Sequence, residues 1–251
     1  MTARLELEQL NYQITTNNEQ KTLLNTVNVS INPGEFVILL GANGAGKSTF
    51  FNTVAGDLMP TSGKISFNGQ VITKQSAQQR TRLISRVYQD PKLGTAADMT
   101  VAENILLAMR RGQRRRLFPR RLAQQRSKIE ALAKNLPNHL EAQLDKPVSM
   151  LSGGQRQTLN FLMATIQKPE LLLLDEHTSA LDAVSSQALM AFTDTTIRKS
   201  QLTCLMITHD LNDALTYGNR LLILKGGRLI ADFNSTEKQV LTIDNLISYL
   251  N

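Results

Sequence analysis

Residues 35–49 read EFVILLGANGAGKST, an apolar run that stops at a glycine-rich stretch and is followed by FFNTVAG. Strand, glycine loop and helix in that order are the context a phosphate-binding loop requires. Gly41, Gly44 and Gly46 let the backbone curl so that successive N–H groups point inward, and the following helix N-terminus adds positive potential. The cradle expected for a nucleotide is therefore Gly41, Ala42, Asn43, Gly44, Ala45, Gly46, Lys47, Ser48 and Thr49. In it Lys47 reaches the β- and γ-phosphates and Ser48 is a ligand for Mg²⁺.

The run LLLLDE at residues 171–176 ends a buried strand in two carboxylates. That placement is costly unless the acids face a cleft with a cation or water to engage. Asp175 is then expected to hold Mg²⁺, and Glu176, pointing differently, to position or deprotonate the water that attacks the γ-phosphate. An isolated Asp-Glu pair would read as a solvated strand-to-loop turn; the phosphate loop in the same chain tips the balance.

Further short apolar runs at Cys204 to Ile207 and Leu221 to Leu224, with helical patterns between them, predict an α/β sheet. Gly226 and Gly227 between two apolar runs signal a tight antiparallel hairpin. From about residue 94 to 165 the strand signal vanishes. Thr100 and Glu103 form a capping box opening a helix, and a polar helical stretch is expected from about Leu122 to Leu136. One domain results, with a core at about 1–93 and 166–251 and a helical insertion at about 94–165.

The chain of 251 residues is 41% hydrophobic, ample for a core. Its longest apolar runs reach five residues, against about 18 needed to span a bilayer, and its N-terminus lacks the pattern of a secretory signal. A cytoplasmic location is expected. The single cysteine, Cys204, lies in the apolar run LTCLMIT and reads as a buried strand residue. The net charge of +7 is local: RRGQRRRLFPRR, Arg110 to Arg121, carries seven arginines, which leaves 21 of the 28 bases against 21 acids. Such a segment suits anionic lipid, an acidic partner or RNA, or is a solvated loop.

A second glycine signal, LSGGQRQTLNF at residues 151–161, places Gly153 and Gly154 just ahead of a helix expected from Gln155 to Gln167. Taken with GANGAGKST, Gln89 in VYQDP, LLLLDE, SALD at 179–182 and His209, it resembles in order the motifs of an ABC-type ATPase subunit. The likeness covers essentially the whole chain. It implies a P-loop NTPase core with a RecA-like mixed sheet, antiparallel β elements and an inserted α-helical signature subdomain, with ATP and Mg²⁺ as cofactors. It also implies a head-to-tail dimer with a second copy, in which Ser152, Gly153, Gly154 and Gln155 of one copy face the nucleotide of the other. By the same resemblance Gln89 touches Mg²⁺ or the attacking water, His209 stabilises charge at the γ-phosphate, and Asp182 belongs to a loop that crosses to the other site.

The resemblance further implies separate integral membrane permease subunits, an extracytoplasmic substrate-binding protein, and a place on the inner face of the membrane. DEHTSALD, QDPKLGTA and AGDLMPTSG look like a subgroup associated with uptake of amino acids, aromatic ones included. The alternative is a soluble, non-transport ATPase of the same type acting on nucleic acid. Against it stand the single cassette and the roughly hundred residues between phosphate loop and signature, too few for a long coiled coil. Two positions depart from the family pattern. Ile14, with Tyr12 nearby, stands where an aromatic residue usually meets the adenine, and His177 stands where proline usually follows the catalytic carboxylate; it reads as variation of a loop residue.

Overall fold

The computed structural model describes residues 3–16, 19–112, 122–134 and 136–250. Among these, the strands in chain order are β1 (Leu5–Thr16), β2 (Glu19–Ile31), β3 (Phe36–Leu40), β4 (Ser62–Phe67), β5 (Gln70–Val71), β6 (Ile84–Val87), β7 (Leu171–Asp175), β8 (Cys204–Ile207), β9 (Arg220–Lys225) and β10 (Arg228–Phe233). The helices are α1 (Lys47–Ala55), α2 (Ala77–Arg80), α3 (Val101–Met109), α4 (Leu122–Ala133), α5 (Gly153–Thr165), α6 (Ala183–Ser200), α7 (Leu211–Thr216), α8 (Ser235–Gln239) and α9 (Ile243–Leu250).

A six-stranded sheet runs β10-β9-β3-β8-β7-β6, and a four-stranded antiparallel sheet runs β2-β1-β4-β5. In the larger sheet β9, β3, β8, β7 and β6 are parallel, and only β10 turns back against β9. Parallel strands covered on both faces need no polar side, so Phe36–Leu40 and Cys204–Ile207 are buried at every residue. Alternate residues feed two cores: Val37 and Leu39 join Phe50, Phe51 and Val54 of α1 and the inner face of the smaller sheet. Phe36, Ile38 and Leu40 face the other way, toward Phe161 of α5 and Leu189 and Met190 of α6. Cys204 is buried and free, and burial pushes its thiol well above the usual range, which leaves it inert.

Between β6 and β7 the described residues form helices and turns around a third apolar cluster that includes Ile105, Ile129, Leu140 and Leu159. The Thr100–Glu103 box opens α3, with Glu103 N donating to Thr100 Oγ1 at 3.2 Å and Thr100 N to Glu103 Oε2 at 2.9 Å. Helix α4 ends at Ala133, short of the expected Leu136, because Leu136 precedes Pro137 and is held extended. Of the arginine segment only Arg110, Arg111 and Gly112 are described; Gln113 to Arg121 lie outside the described residues.

Candidate active site

The glycine loop leaves the carboxyl end of β3, which sits inside the sheet between β8 and β9. A Cβ at Gly41 would stand 2.4 Å from Leu224 O, and one at Gly46, where φ is +105°, 2.5 Å from Leu23 O. Only glycine fits either position, so the chain here is defined by its backbone. Gly227 N donates to Ala45 O at 3.0 Å and Asn25 N to Gly227 O at 2.8 Å, which moors the loop to the β9–β10 hairpin and to β2. Lys47 folds over the loop and donates to Gly41 O at 2.7 Å and Ala42 O at 3.1 Å. Burial pushes its ammonium below the usual lysine range, against the pull of Glu176 and Asp175. Asn43, Gly44 and Ser48 are exposed.

The remaining candidates come from the carboxyl ends of β6, β7 and β8, the edge at which ligands meet open parallel sheets. Pairing of Val87 with Leu174 places Gln89 and Glu176, each two residues beyond, side by side. Gln89 Nε2 donates to Glu176 Oε2 at 3.1 Å and to Ser179 Oγ at 3.3 Å. His209 Nδ1 stands 3.2 Å from the same Glu176 oxygen. Glu176 itself has φ +43°, a strained backbone for a residue with a Cβ. Its N–H donates to Ile207 O at 3.2 Å, and Ser179 Oγ donates to its carbonyl at 2.9 Å. Asp175, one residue earlier, accepts from Arg86 Nη2 at 2.6 Å. Among the described residues no hydrogen bond joins Ser48, Gln89 and Asp175 to one another.

Ser152 caps α5: its hydroxyl accepts from Gln155 N at 3.2 Å while Gln155 Oε1 accepts from Ser152 N at 3.2 Å. This reciprocal cap starts the helix at Gly153, two residues before the position its sequence suggests. Gly153 is exposed, Gly154 buried against Ser185, and Gln155 Nε2 donates to Asn138 O at 3.2 Å. Among the described residues no hydrogen bond or ion pair links Ser152–Gln155 to the loop 41–49 or to Glu176. Asp182 caps α6 by accepting from Ser185 N at 3.0 Å, and that bond holds its carboxyl below the usual range. Tyr12 packs against the first core cluster, and Ile14 lies further along the same strand.

His177 is 2% exposed, with Nε2 at 3.2 Å from Thr193 Oγ1 and its ring stacked on Phe161 at 6.3 Å. It belongs to the core under the site, where burial pushes its pKa down to about 4. Among the described residues no cluster of three or more His, Cys, Asp or Glu side chains is placed to hold a metal.

Two features lay outside the sequence reading. Gln157 and Asn160, both buried on α5, donate to Tyr88 O at 2.9 Å and to Pro91 O at 2.8 Å, on either side of Gln89. A groove of about 1230 Å³ between β6 and helices α3 and α5 is lined by Arg80, Arg86, Tyr88, Leu107, Arg111 and Asn160 among others. Polar residues spaced three apart inside an apolar helix face, and an arginine inside ISRV, were the signals available for these.

A family model described as ABC transporter matches residues 24–179. The chain is 40% identical over 229 residues to the tyrosine transport ATP-binding protein of Clostridioides difficile, covering 91% of each. It is 36% identical over 202 residues to a thiamine import ATP-binding protein of Yersinia pseudotuberculosis, 80% of each chain. Some longer relatives are spanned over only 38% or 58% of their length. In three dimensions the chain resembles a dimeric ATP-binding cassette solved in a post-hydrolysis state with ADP and phosphate, with TM-score 0.78, 24% identity, and 92% and 98% of the two chains covered.

Proposed function

The chain belongs to the ABC transporter family, and on that premise we propose that it is the ATP-hydrolysing subunit of a membrane importer of small solutes, acting as a head-to-tail pair of identical copies. The observation that carries this reading is the meeting of Gln89 and His209 on one oxygen of Glu176, at the sheet edge that also bears the glycine loop.

In this reading the N–H groups of residues 41–49 and the Lys47 ammonium take the phosphates of ATP, Lys47 exchanging the carbonyls of Gly41 and Ala42 for phosphate oxygens. Glu176 accepts a proton from the water that attacks the γ-phosphorus, as the bond to the β-phosphate oxygen breaks to give ADP and phosphate. His209 faces the charge that develops, and Gln89 fixes the carboxylate. The residues that would hold Mg²⁺ are Ser48, Asp175 and Gln89, a hydroxyl, carboxylate and amide set of hard oxygen donors that fits it. Bound there, the ion supplies positive charge to the β- and γ-phosphoryl oxygens.

Each copy completes the other's site with its signature loop. The Ser152 hydroxyl accepts from Gln155 N and keeps its own hydrogen to donate; with the N–H groups of Gly153 and Gly154 it caps the partner's γ-phosphate at the start of α5. Asp182 and its loop couple the two sites. We assign the helical insertion at about 94–165 to the permease contact, in the groove between β6 and α3. Among the described residues no helix is long and apolar enough to cross a membrane, which supports separate permease chains with this one on the inner face, fed by an extracytoplasmic binding protein. The similarity to a tyrosine transport protein and a thiamine import protein supports import, with amino acids, aromatic ones foremost, as cargo.

The test is to express the chain together with its native membrane. Co-purification with an integral membrane partner and a gain of ATPase activity there are expected; stimulation by RNA with no membrane association would overturn the proposal.

A further inference from the structure

Arg86 sits on β6 between Ser85 and Val87, both buried. Its side chain is 10% exposed, and its guanidinium joins three elements. Nη2 donates to Asp175 Oδ2 at 2.6 Å, and Nη1 donates to Asn52 Oδ1 of α1 at 2.7 Å and to Asp57 Oδ2 at 3.1 Å. One face lies over the Tyr88 ring, 4.7 Å from its centroid. One cation is thus shared between two carboxylates, of which Asp175 is 13% exposed and Asp57 42%.

The arrangement has an electrostatic consequence. A carboxylate that already accepts a charge-assisted hydrogen bond at one oxygen can turn only the other toward a second cation, and does so with much of its charge offset. Because the pair is largely shielded from water, that offset is little screened. We propose that Arg86 is a positioning residue which fixes Asp175 and sets how tightly the nucleotide site holds its divalent cation, with Asp57 as the counterweight that draws part of the arginine charge away. The inference rests on the nucleotide-site reading above. It differs from a purely structural bolt between α1 and β7 in the sign of its effects. A bolt, once broken at either end, loosens the metal site; a charge balance moves in opposite directions at its two ends.

The experiment is an electron paramagnetic resonance titration of Mn²⁺ into the full chain saturated with a non-hydrolysable ATP analogue, which reads metal affinity independently of turnover. Arg86→Gln removes the opposing cation and is expected to tighten Mn²⁺ binding on the order of tenfold. Arg86→Lys keeps the charge and stays within about twofold of the unaltered chain. Asp57→Asn, at a half-exposed position away from the phosphates, leaves the arginine charge less compensated and weakens binding by about two- to threefold. Should Arg86→Gln fail to fold, Arg86→Lys and Asp57→Asn decide together. A bolt predicts weaker binding in both, because the lysine loses the fork to Asn52, Asp57 and Asp175. Binding within about twofold in Arg86→Lys with weaker binding in Asp57→Asn therefore supports the inference, and any other pair of results overturns it. Equal or weaker binding in a folded Arg86→Gln variant also overturns it. If the unaltered chain with nucleotide binds no Mn²⁺, the nucleotide-site reading falls and this inference with it.

Discussion

Gln89 donates to Oε2 of Glu176 across 3.1 Å, a bond that ties the ends of two neighbouring parallel strands. His209 approaches the same oxygen, so the carboxylate is held from two sides with its second oxygen free of both. A general base, the role proposed for Glu176, must be held in place as well as ionised, and this arrangement would supply the holding.

Replacing Glu176 with glutamine keeps the shape and removes the basicity. ATP is expected to bind with little change while hydrolysis falls roughly hundredfold or more. Size-exclusion chromatography with ATP should then show an accumulated dimer, because the closed state no longer decays. Near-normal turnover in a single-turnover assay would refute the assignment of Glu176 as base.

Ser152 caps α5, and in the proposed reading it also meets the partner's phosphate; a pair of substitutions separates the two roles. Ser152→Ala deletes the cap on α5 and is expected to cost about 1 kcal/mol in urea unfolding. Ser152→Asn, a good cap, should restore that stability but not ATPase activity, since the hydroxyl meant for the partner's phosphate is gone. Full activity in Ser152→Asn would reduce the residue to a helix cap.

The strand, glycine loop and helix around residues 35–49 were legible because their signal is local: they follow one another within fifteen residues, and Gly46 has the positive φ its neighbours require. The hairpin at Gly226 and Gly227 was legible for the same reason, with φ of +54° and +76°. The start of α5 was also written locally, in the Ser152 to Gln155 spacing, yet the two intervening glycines drew the predicted start inward. What the sequence hid depends on register between distant strands. Nothing near Arg86 announces that β6 will pair with β7 and set it on Asp175, 89 residues away. His177 read as a variable loop residue because its burial comes from Phe161 and Thr193, on two helices that close over it.

Gly94 tests the clamp on the Gln89 loop. A Cβ there would meet Asn160 Oδ1 at 2.4 Å, and Asn160 is held by its bond to Pro91 O. Gly94→Ala should therefore displace Asn160 and let Gln89 drift from Glu176, lowering kcat severalfold with little change in KM for ATP. Gln157→Leu, which cuts the bond to Tyr88 O, should give the same split from the other side of the loop. A change confined to KM would show that the clamp serves nucleotide binding instead.

His177 gives the chain an acid limb. Burial lowers its pKa to about 4 in the folded state, whereas the unfolded chain titrates near the usual value of about 6.5. Between those values the unfolded state binds more protons, so stability rises with pH; it is fully present above about pH 6.5 and lost as pH falls toward 4. The size of the loss is about 3 kcal/mol. His177→Gln can still meet Thr193 but does not titrate. In urea unfolding without nucleotide and with a chelator present, the unaltered chain should therefore lose stability relative to the variant as pH drops from 7 to 4, by about that amount. Parallel curves across this range would mean that His177 finds a water path or a hydrogen-bond acceptor when it charges, and that its burial at the edge of the Glu176 loop is less complete in solution.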